Sequence, residues 1–195
     1  LSLPAAIALI IGSEEIISAL FGYGSFDQQS VENSAKALFF FSLGLPAFAL
    51  IKVFSTFFFA NHDTKTPFLI SLISVVLNIL ISVIYFKSIG FIIIPIATSI
   101  SSWFNSLVLF IFLYNRDLFE FNNIFLIRFF KIILSCIIMG AGFYNLINFF
   151  QNQLTYDYSF KSFYLILSVL LGLFFYLLVS FLIKAFNYKD LQLKY

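Results

Sequence analysis

Six unbroken apolar runs, each about twenty residues long, constrain this chain more than any single residue does. They cover residues 3–21, 37–60, 67–86, 91–114, 124–149 and 163–185. A helix rises about 1.5 Å per residue, so about 20 apolar residues match the roughly 30 Å hydrocarbon core of a bilayer. Membrane strands would read as ten-residue alternating segments; these runs are continuous and about twice as long. Charged residues make up only 10% of the 195, and hydrophobic ones 62%. Soluble domains carry about 25% charge, so this chain lacks the groups to solvate a globular surface. The expected fold is all-α: a polytopic transmembrane helix bundle of six spans, with no soluble domain.

Other classes fall away on composition. A net charge of +2 leaves no broad basic face for nucleic acid. Cys136 and His62 are the sole residues of their kinds, which excludes the common zinc clusters, and Cys136 lies inside an apolar run, a poor place for a nucleophile. No cofactor, metal or enzymatic activity is expected. The chain opens on Leu1, already inside an apolar run, with no basic stretch and no small-residue cleavage pattern. It reads as a C-terminal fragment whose missing N-terminal helices would be its partners.

Turn chemistry separates the runs. Gly22-Tyr23-Gly24 ends the first and Asn61-His62-Asp63 the second. Thr66 followed by Pro67 reads as an N-cap and a proline at the first helical position. Lys87-Ser88-Ile89-Gly90 is short enough to make the third and fourth spans antiparallel neighbours. With six spans both termini share one side. Lys65, Arg116, Arg128, Lys131 and three C-terminal lysines (Lys184, Lys189, Lys194) fall there, against Lys36, Lys87 and Lys161 opposite. The positive-inside rule makes that side cytoplasmic. Arg128 and Lys131 then sit where long basic side chains snorkel to headgroups.

Polar residues within the spans form stripes. Ser71, Ser74, Asn78 and Ser82 lie within about 80° of one another at the helical period. Thr98, Ser101, Ser102 and Asn105 do the same on the fourth span, and Lys52, Ser55 and Thr56 share a face of the second. The last two spans have no comparable stripe. Such stripes serve either as packing glue between helices or as the lining of a solvated path. Lys52 is the most informative residue. It lies about 12 Å from the end of its span, and a charge buried at a span centre costs roughly 2.5–3.5 kcal/mol. It either faces a wet cavity or snorkels to the cytoplasmic headgroups. Glu14 and Glu15 read as an interfacial pair, and Asp63 and Lys65 as solvated or capping charges of a cytoplasmic turn.

Several of these segments resemble the MurJ (MviN) family of lipid II flippases. Leu3-Pro4-Ala5-Ala6 and Leu20-Phe21-Gly22-Tyr23-Gly24-Ser25-Phe26 look like that family's ninth span and following loop. Gly44-Leu45-Pro46-Ala47-Phe48, Lys52-Val53, Phe58-Phe59-Ala60 and Asp63-Thr64-Lys65-Thr66-Pro67 look like its tenth span and the turn into the eleventh. The Asp-Thr-Lys-Thr-Pro element is the most specific. The resemblance covers residues 3–114 well, and beyond them rests on two further spans and on Arg128 in a Phe-Leu-Ile-Arg context.

The resemblance implies fourteen spans in a multidrug/oligosaccharidyl-lipid/polysaccharide exporter fold, as two six-helix lobes plus two extra helices. Residues 1–114 would be the last four helices of the second lobe. Residues 115–195 would be the extra pair with a short cytoplasmic tail. The implied activity is alternating-access flipping of lipid II, a lipid-linked peptidoglycan precursor, across the bacterial cytoplasmic membrane. The alternatives are a sibling polysaccharide-lipid or drug exporter, or a membrane-embedded lipid-modifying enzyme. Lys52, Ser55, Asn78 and Asn105 are the substrate-cavity candidates. Arg128 and Lys131 are candidates for the lipid-tail groove or headgroup, although Lys131 has no place in the family pattern. Asp63, Thr66 and Pro67 form the cytoplasmic turn motif. The partners implied are a lipid-linked oligosaccharide and membrane lipids.

Overall fold

A computed structural model describes residues 2–116 and 123–185. Lys189 and Lys194, used above for orientation, lie outside them. The described residues form seven α-helices and no strand: α1 (Ser2–Ile11), α2 (Ser13–Phe21), α3 (Gln28–Ala60), α4 (Lys65–Ile89), α5 (Ile93–Asn115), α6 (Asn123–Phe149) and α7 (Lys161–Leu182).

Among the described residues four stretches are long and apolar enough to cross a bilayer: Gln28–Ala60, Lys65–Asn115, Phe125–Phe149 and Lys161–Leu182. The second, of 51 residues, folds back on itself as α4 and α5. Its 3-10 turn at Gly90–Ile92 starts at a glycine with φ 76°, a left-handed conformation that a side chain disfavours. Each arm spans about 35 Å by itself. The exterior agrees: Val83 on α4 is 69% exposed and Phe181 on α7 68%, an apolarity that suits lipid or further packed helices rather than water. The chain is an all-α, multi-pass membrane protein.

The first span departs from expectation. Residues 3–21 are not one straight helix, because α1 and α2 meet at Gly12 with a bend of 79°. Neither piece, at about 15 Å, crosses a bilayer alone. Gly12 is where the chain presses on α6. A Cβ there would stand 2.9 Å from Ile147 Cδ1 and 3.2 Å from Phe143 Cε1.

The second span also starts earlier than hydropathy implies, at Gln28 rather than near residue 37. Asp27 is its cap: Oδ1 accepts the Ser30 amide at 2.9 Å. Hydrogen bonds from Ser30 hold the Asp27 carboxyl below its usual range. The added turns are polar, so a search for apolar runs passes over them.

The turn after α3 is a Schellman motif. His62 N–H donates to the Phe59 carbonyl and Asp63 N–H to the Phe58 carbonyl. His62 takes the left-handed position with φ 59°, so the single histidine is a helix terminator. Lys184 repeats the arrangement after α7, with φ 54° and an Ala185 N–H bonded to the Ser180 carbonyl.

The described residues fall into two compact units. One holds residues 3–35 with 123–185, the other residues 36–116. The core of the first is built on Met139, Phe143 and Ile147 of α6 with Leu165 and Tyr176 of α7, and it includes Cys136. The core of the second is Phe58, Ile70, Leu109 and Leu113.

Candidate functional site

In the second unit the two polar stripes meet. An open cleft of about 270 Å³ runs along the α4–α5 hairpin, lined by Ser71, Asn78, Thr98, Ser101 and Asn105 with Phe48 of α3. The two asparagines are used differently. Asn78 donates from Nδ2 to Thr98 Oγ1 at 3.1 Å and to Ser101 Oγ at 3.2 Å. Its Oδ1 accepts from Ser82 at 3.5 Å. Its hydrogen-bonding capacity is spent holding the hairpin together. Asn105, only 7% exposed, makes one long contact from Nδ2 to Ser71 Oγ at 3.4 Å. Its buried Oδ1 has no partner. An apolar medium makes such an acceptor costly, by about 1–3 kcal/mol.

The hydroxyls around them bond to their own helices. Thr98 Oγ1 donates to the Ile94 carbonyl at 2.8 Å, and Ser101 and Ser102 both donate to the Thr98 carbonyl. Back-bonding of this kind satisfies a hydroxyl without a second helix and leaves its lone pairs for others. α3 closes on α5 nearby. Ser99 Oγ donates to the Phe40 carbonyl at 2.5 Å, and Trp103 Nε1 to the Leu43 carbonyl at 2.9 Å.

Lys52 and Ser55 do not join Asn78 and Asn105. Lys52 is exposed on α3 and Ser55 half-buried; neither lines the cleft, although Ile51 does.

The turn motif is assembled, in a different register from the one expected. α4 begins at Lys65 with Thr64 as its N-cap, so Thr66 and Pro67 lie inside the first turn. Thr66 is not the cap, because Asp63 supplies the capping oxygen. Asp63 Oδ1 accepts the Thr66 amide at 3.0 Å and Oδ2 accepts the Thr66 hydroxyl at 2.6 Å. Proline fits here because its missing N–H falls among the unpaired amides of a first turn. Arg116, at the end of α5, donates to Asp63 Oδ2 at 2.6 Å and to Thr66 Oγ1 at 3.2 Å. Its guanidinium lies 5.7 Å from the Phe58 ring centre and 5.9 Å from that of Phe112. The Thr66 hydrogen bonds, then Arg116, hold the Asp63 carboxyl far below the usual carboxylate range.

The first unit carries an apolar recess of about 300 Å³ between α1, α6 and α7. Ala8, Met139, Phe143, Leu173 and Tyr176 line it, with Gly172 at its wall. Phe143 leans on Gly172, where a Cβ would come within 3.0 Å of the ring. Arg128 is exposed and Lys131 half-buried on α6. Lys131 is about 12 Å along the helix from Met139, so neither base lines the recess.

Lys161 went unrecognised as a structural residue in the sequence. It is 1% exposed. Its Nζ donates to the Gly22 carbonyl at 2.6 Å and the Tyr156 carbonyl at 2.7 Å. It also sits 4.4 and 4.6 Å from the ring centres of Tyr23 and Tyr156. Two neighbouring bonds complete the junction: Tyr156 Oη to the Phe26 carbonyl at 2.7 Å, and Ser162 Oγ to the Ala19 carbonyl at 2.6 Å. No local pattern announces it, because apart from the Lys161–Tyr156 contact the hydrogen-bond partners are 130–143 residues apart.

Comparison with known proteins supplies what a partial site cannot. The family model for lipid II flippase MurJ matches residues 1–165. A protein of Rickettsia prowazekii (strain Madrid E), named probable lipid II flippase MurJ, is 31% identical over 191 residues, covering 97% of this chain and 38% of the relative. A protein of the same name from Thermotoga maritima is 35% identical over 191 residues, covering 98% of this chain and 37% of that one. A solved structure of lipid II flippase MurJ in an inward closed conformation matches with a TM-score of 0.76 at 27% identity. It covers 97% of this chain and 36% of that chain. This chain therefore spans less than two fifths of the length of these proteins. Since sequence and fold agree over nearly all of it, the chain belongs to the lipid II flippase MurJ family.

Proposed function

We propose that the chain is the C-terminal part of a flippase that carries lipid II, a lipid-linked peptidoglycan precursor, across the bacterial cytoplasmic membrane by alternating access. In this reading residues 1–114 finish the second lobe and residues 115–195 are the extra helical pair. With α1 and α2 counted together as one broken span, both ends are cytoplasmic, on the strength of the Lys/Arg asymmetry. The physical task is to move a charged sugar–pyrophosphate head through about 30 Å of hydrocarbon while its polyprenyl tail stays in lipid. Hydrogen-bonding groups at membrane depth lower the barrier for the head, and an apolar recess accepts the tail. Rocking of two lobes about such a site exposes it to each side in turn, with no covalent step.

The observation that carries this reading is the Asn105 acceptor, buried without a donor in the wall of a membrane-embedded cleft. A polar group kept unsatisfied at that depth is expensive unless a ligand or water uses it. Lys52, exposed on α3 at span depth, is the cation this part of the chain offers to a phosphate. The recess beside Met139, Phe143 and Tyr176 suits an isoprenoid tail, with Arg128 and Lys131 at headgroup level on the same helix. The test is complementation of flippase depletion by the full-length protein. Lys52→Ala should impair growth more than Lys65→Ala; full growth of both variants would remove Lys52 from the transport path.

A further inference from the structure

The first unit holds a second, polar pocket of about 400 Å³, which the flipping cycle described above does not use. It lies where the first two turns of α2, the first turn of α3 and the turn after α6 come together. These are helix ends, where a spanning bundle meets the headgroup region. Glu14, Asp157, Gln28 and Gln151 form an exposed rim, while Glu15 and Ser18 reach the floor. Three carboxylates line it and no basic side chain does. Lys161 gives two of its three donors to the Tyr156 carbonyl in the wall and to Gly22, and its side chain does not line the pocket.

The floor points to a ligand. Ser18 is 5% exposed and its Oγ has no hydrogen-bond partner. Glu15 Oε2 is likewise buried and unpartnered. Both oxygens can accept hydrogen bonds, and neither has a partner among the described residues. A metal ion is a poor match. No group of three His, Cys, Asp or Glu among the described residues converges closely enough to hold one, and the volume far exceeds the roughly 30 Å³ of one water. A primary ammonium is a good match. It brings a positive charge, three N–H donors and no acceptor, carried on a body large enough to reach from the floor to the rim carboxylates.

We infer that the pocket bounded by Glu14, Glu15, Ser18 and Asp157 binds a primary ammonium group, from a phosphatidylethanolamine headgroup or from a soluble amine. The inference is independent of the flipping assignment. It is tested by thermal unfolding of the full-length protein in nanodiscs. One arm compares phosphatidylethanolamine/phosphatidylglycerol discs with phosphatidylcholine/phosphatidylglycerol discs, since the choline headgroup has no N–H. The other adds ethanolammonium chloride to the phosphatidylcholine discs, against sodium and magnesium chloride at equal ionic strength. Wild type should gain about 2–4 °C in Tm from an ammonium source, a rise that reports saturation of a folded-state site. A gain in the first arm alone identifies the lipid, and a gain in the second identifies a soluble amine. Glu15→Gln should abolish the gain, and the rim variant Asp157→Asn, which leaves the floor intact, should reduce it at least threefold. Absence of any gain in wild type, an equal gain in both variants, or an equal response to sodium or magnesium would each overturn the inference.

Discussion

Lys161 Nζ lies 2.6 Å from the carbonyl oxygen of Gly22, a residue 139 positions earlier in the chain. The lysine is sealed from solvent, and its charge meets carbonyls and tyrosine rings rather than a carboxylate. The Gly22 carbonyl stands at the C-terminal end of α2, where the helix dipole is negative. One ammonium thus ties the loop after α2 to the loop before α7, within a single compact unit.

Removing that ammonium should therefore destabilise the protein. Lys161→Met keeps the apolar stem but leaves one buried and one half-buried carbonyl without a donor and removes two cation–π contacts. The expected cost is about 2–4 kcal/mol. Gly22→Ala should act on the same junction, because its Cβ would stand 2.6 Å from the Ser18 carbonyl oxygen and 3.1 Å from Lys161 Nζ. Thermal unfolding of the full-length protein checks both. An unchanged Tm for Lys161→Met would mean that the junction holds nothing together.

The turn between α3 and α4 predicts a pH profile. The Asp63 carboxyl is held far below its usual range by Thr66 and Arg116. A carboxylate lowered on folding contributes stability that is fully present above its unfolded value of about 3.9 and is lost as pH falls through the folded one. The stability difference between wild type and Asp63→Asn should be constant from neutral pH down to about pH 5. It should shrink only in strong acid. A difference that halves between pH 7 and pH 5 would contradict the Thr66 and Arg116 contacts.

A third prediction concerns the approach of α3 to α5. A Cβ on Gly44 would lie 2.8 Å from Ser99 Oγ and 3.2 Å from Ser99 Cα. The second contact is to backbone and cannot relax by a rotamer change. Gly44→Ala should cost about 1–3 kcal/mol, and Gly44→Val more. Gly44→Ala combined with Ser99→Ala should recover part of the loss in a thermal melt, since the Oγ clash is then gone. Without such recovery, the close approach at Ser99 is not what Gly44 serves.

What sequence alone discloses here follows the range of each interaction. The α4–α5 hairpin was legible because Asn78 and Thr98 sit on stripes with a helical period and the turn between them is short. The 79° break at Gly12 was not, since an apolar run reads the same whether straight or bent, and the glycine's reason is Phe143 and Ile147 on α6. The polar start of α3 was missed because hydropathy registers lipid contact, whereas Asp27 begins a helix by hydrogen bonding. Thr66 and Pro67 carried a real start signal two residues late, since Asp63 does the capping. Lys161 looked like a loop cation because a lysine's surroundings are tertiary. The stripes also could not separate Asn78 from Asn105: both match the pattern, and only coordinates reveal which one has spent its hydrogen bonds.

That distinction yields the last prediction, a separation of stability from transport. Asn78→Ala removes the donor to Thr98 and Ser101, both of which retain back-bonds to their own helix. Interhelical polar contacts in membranes average about 0.6 kcal/mol with a maximum near 1.7, so a modest fall in Tm is expected. Asn105→Ala gives up one long bond to Ser71 and relieves an unpartnered buried oxygen, so its Tm should be unchanged or slightly higher. If Asn105 serves the polar head, complementation of flippase depletion should fall for Asn105→Ala and be largely kept for Asn78→Ala once protein levels are matched. A stable Asn105→Ala protein that supports full growth would reduce the cleft to a packing seam. An Asn78→Ala protein of unchanged Tm would mean the hairpin is held by its apolar contacts alone.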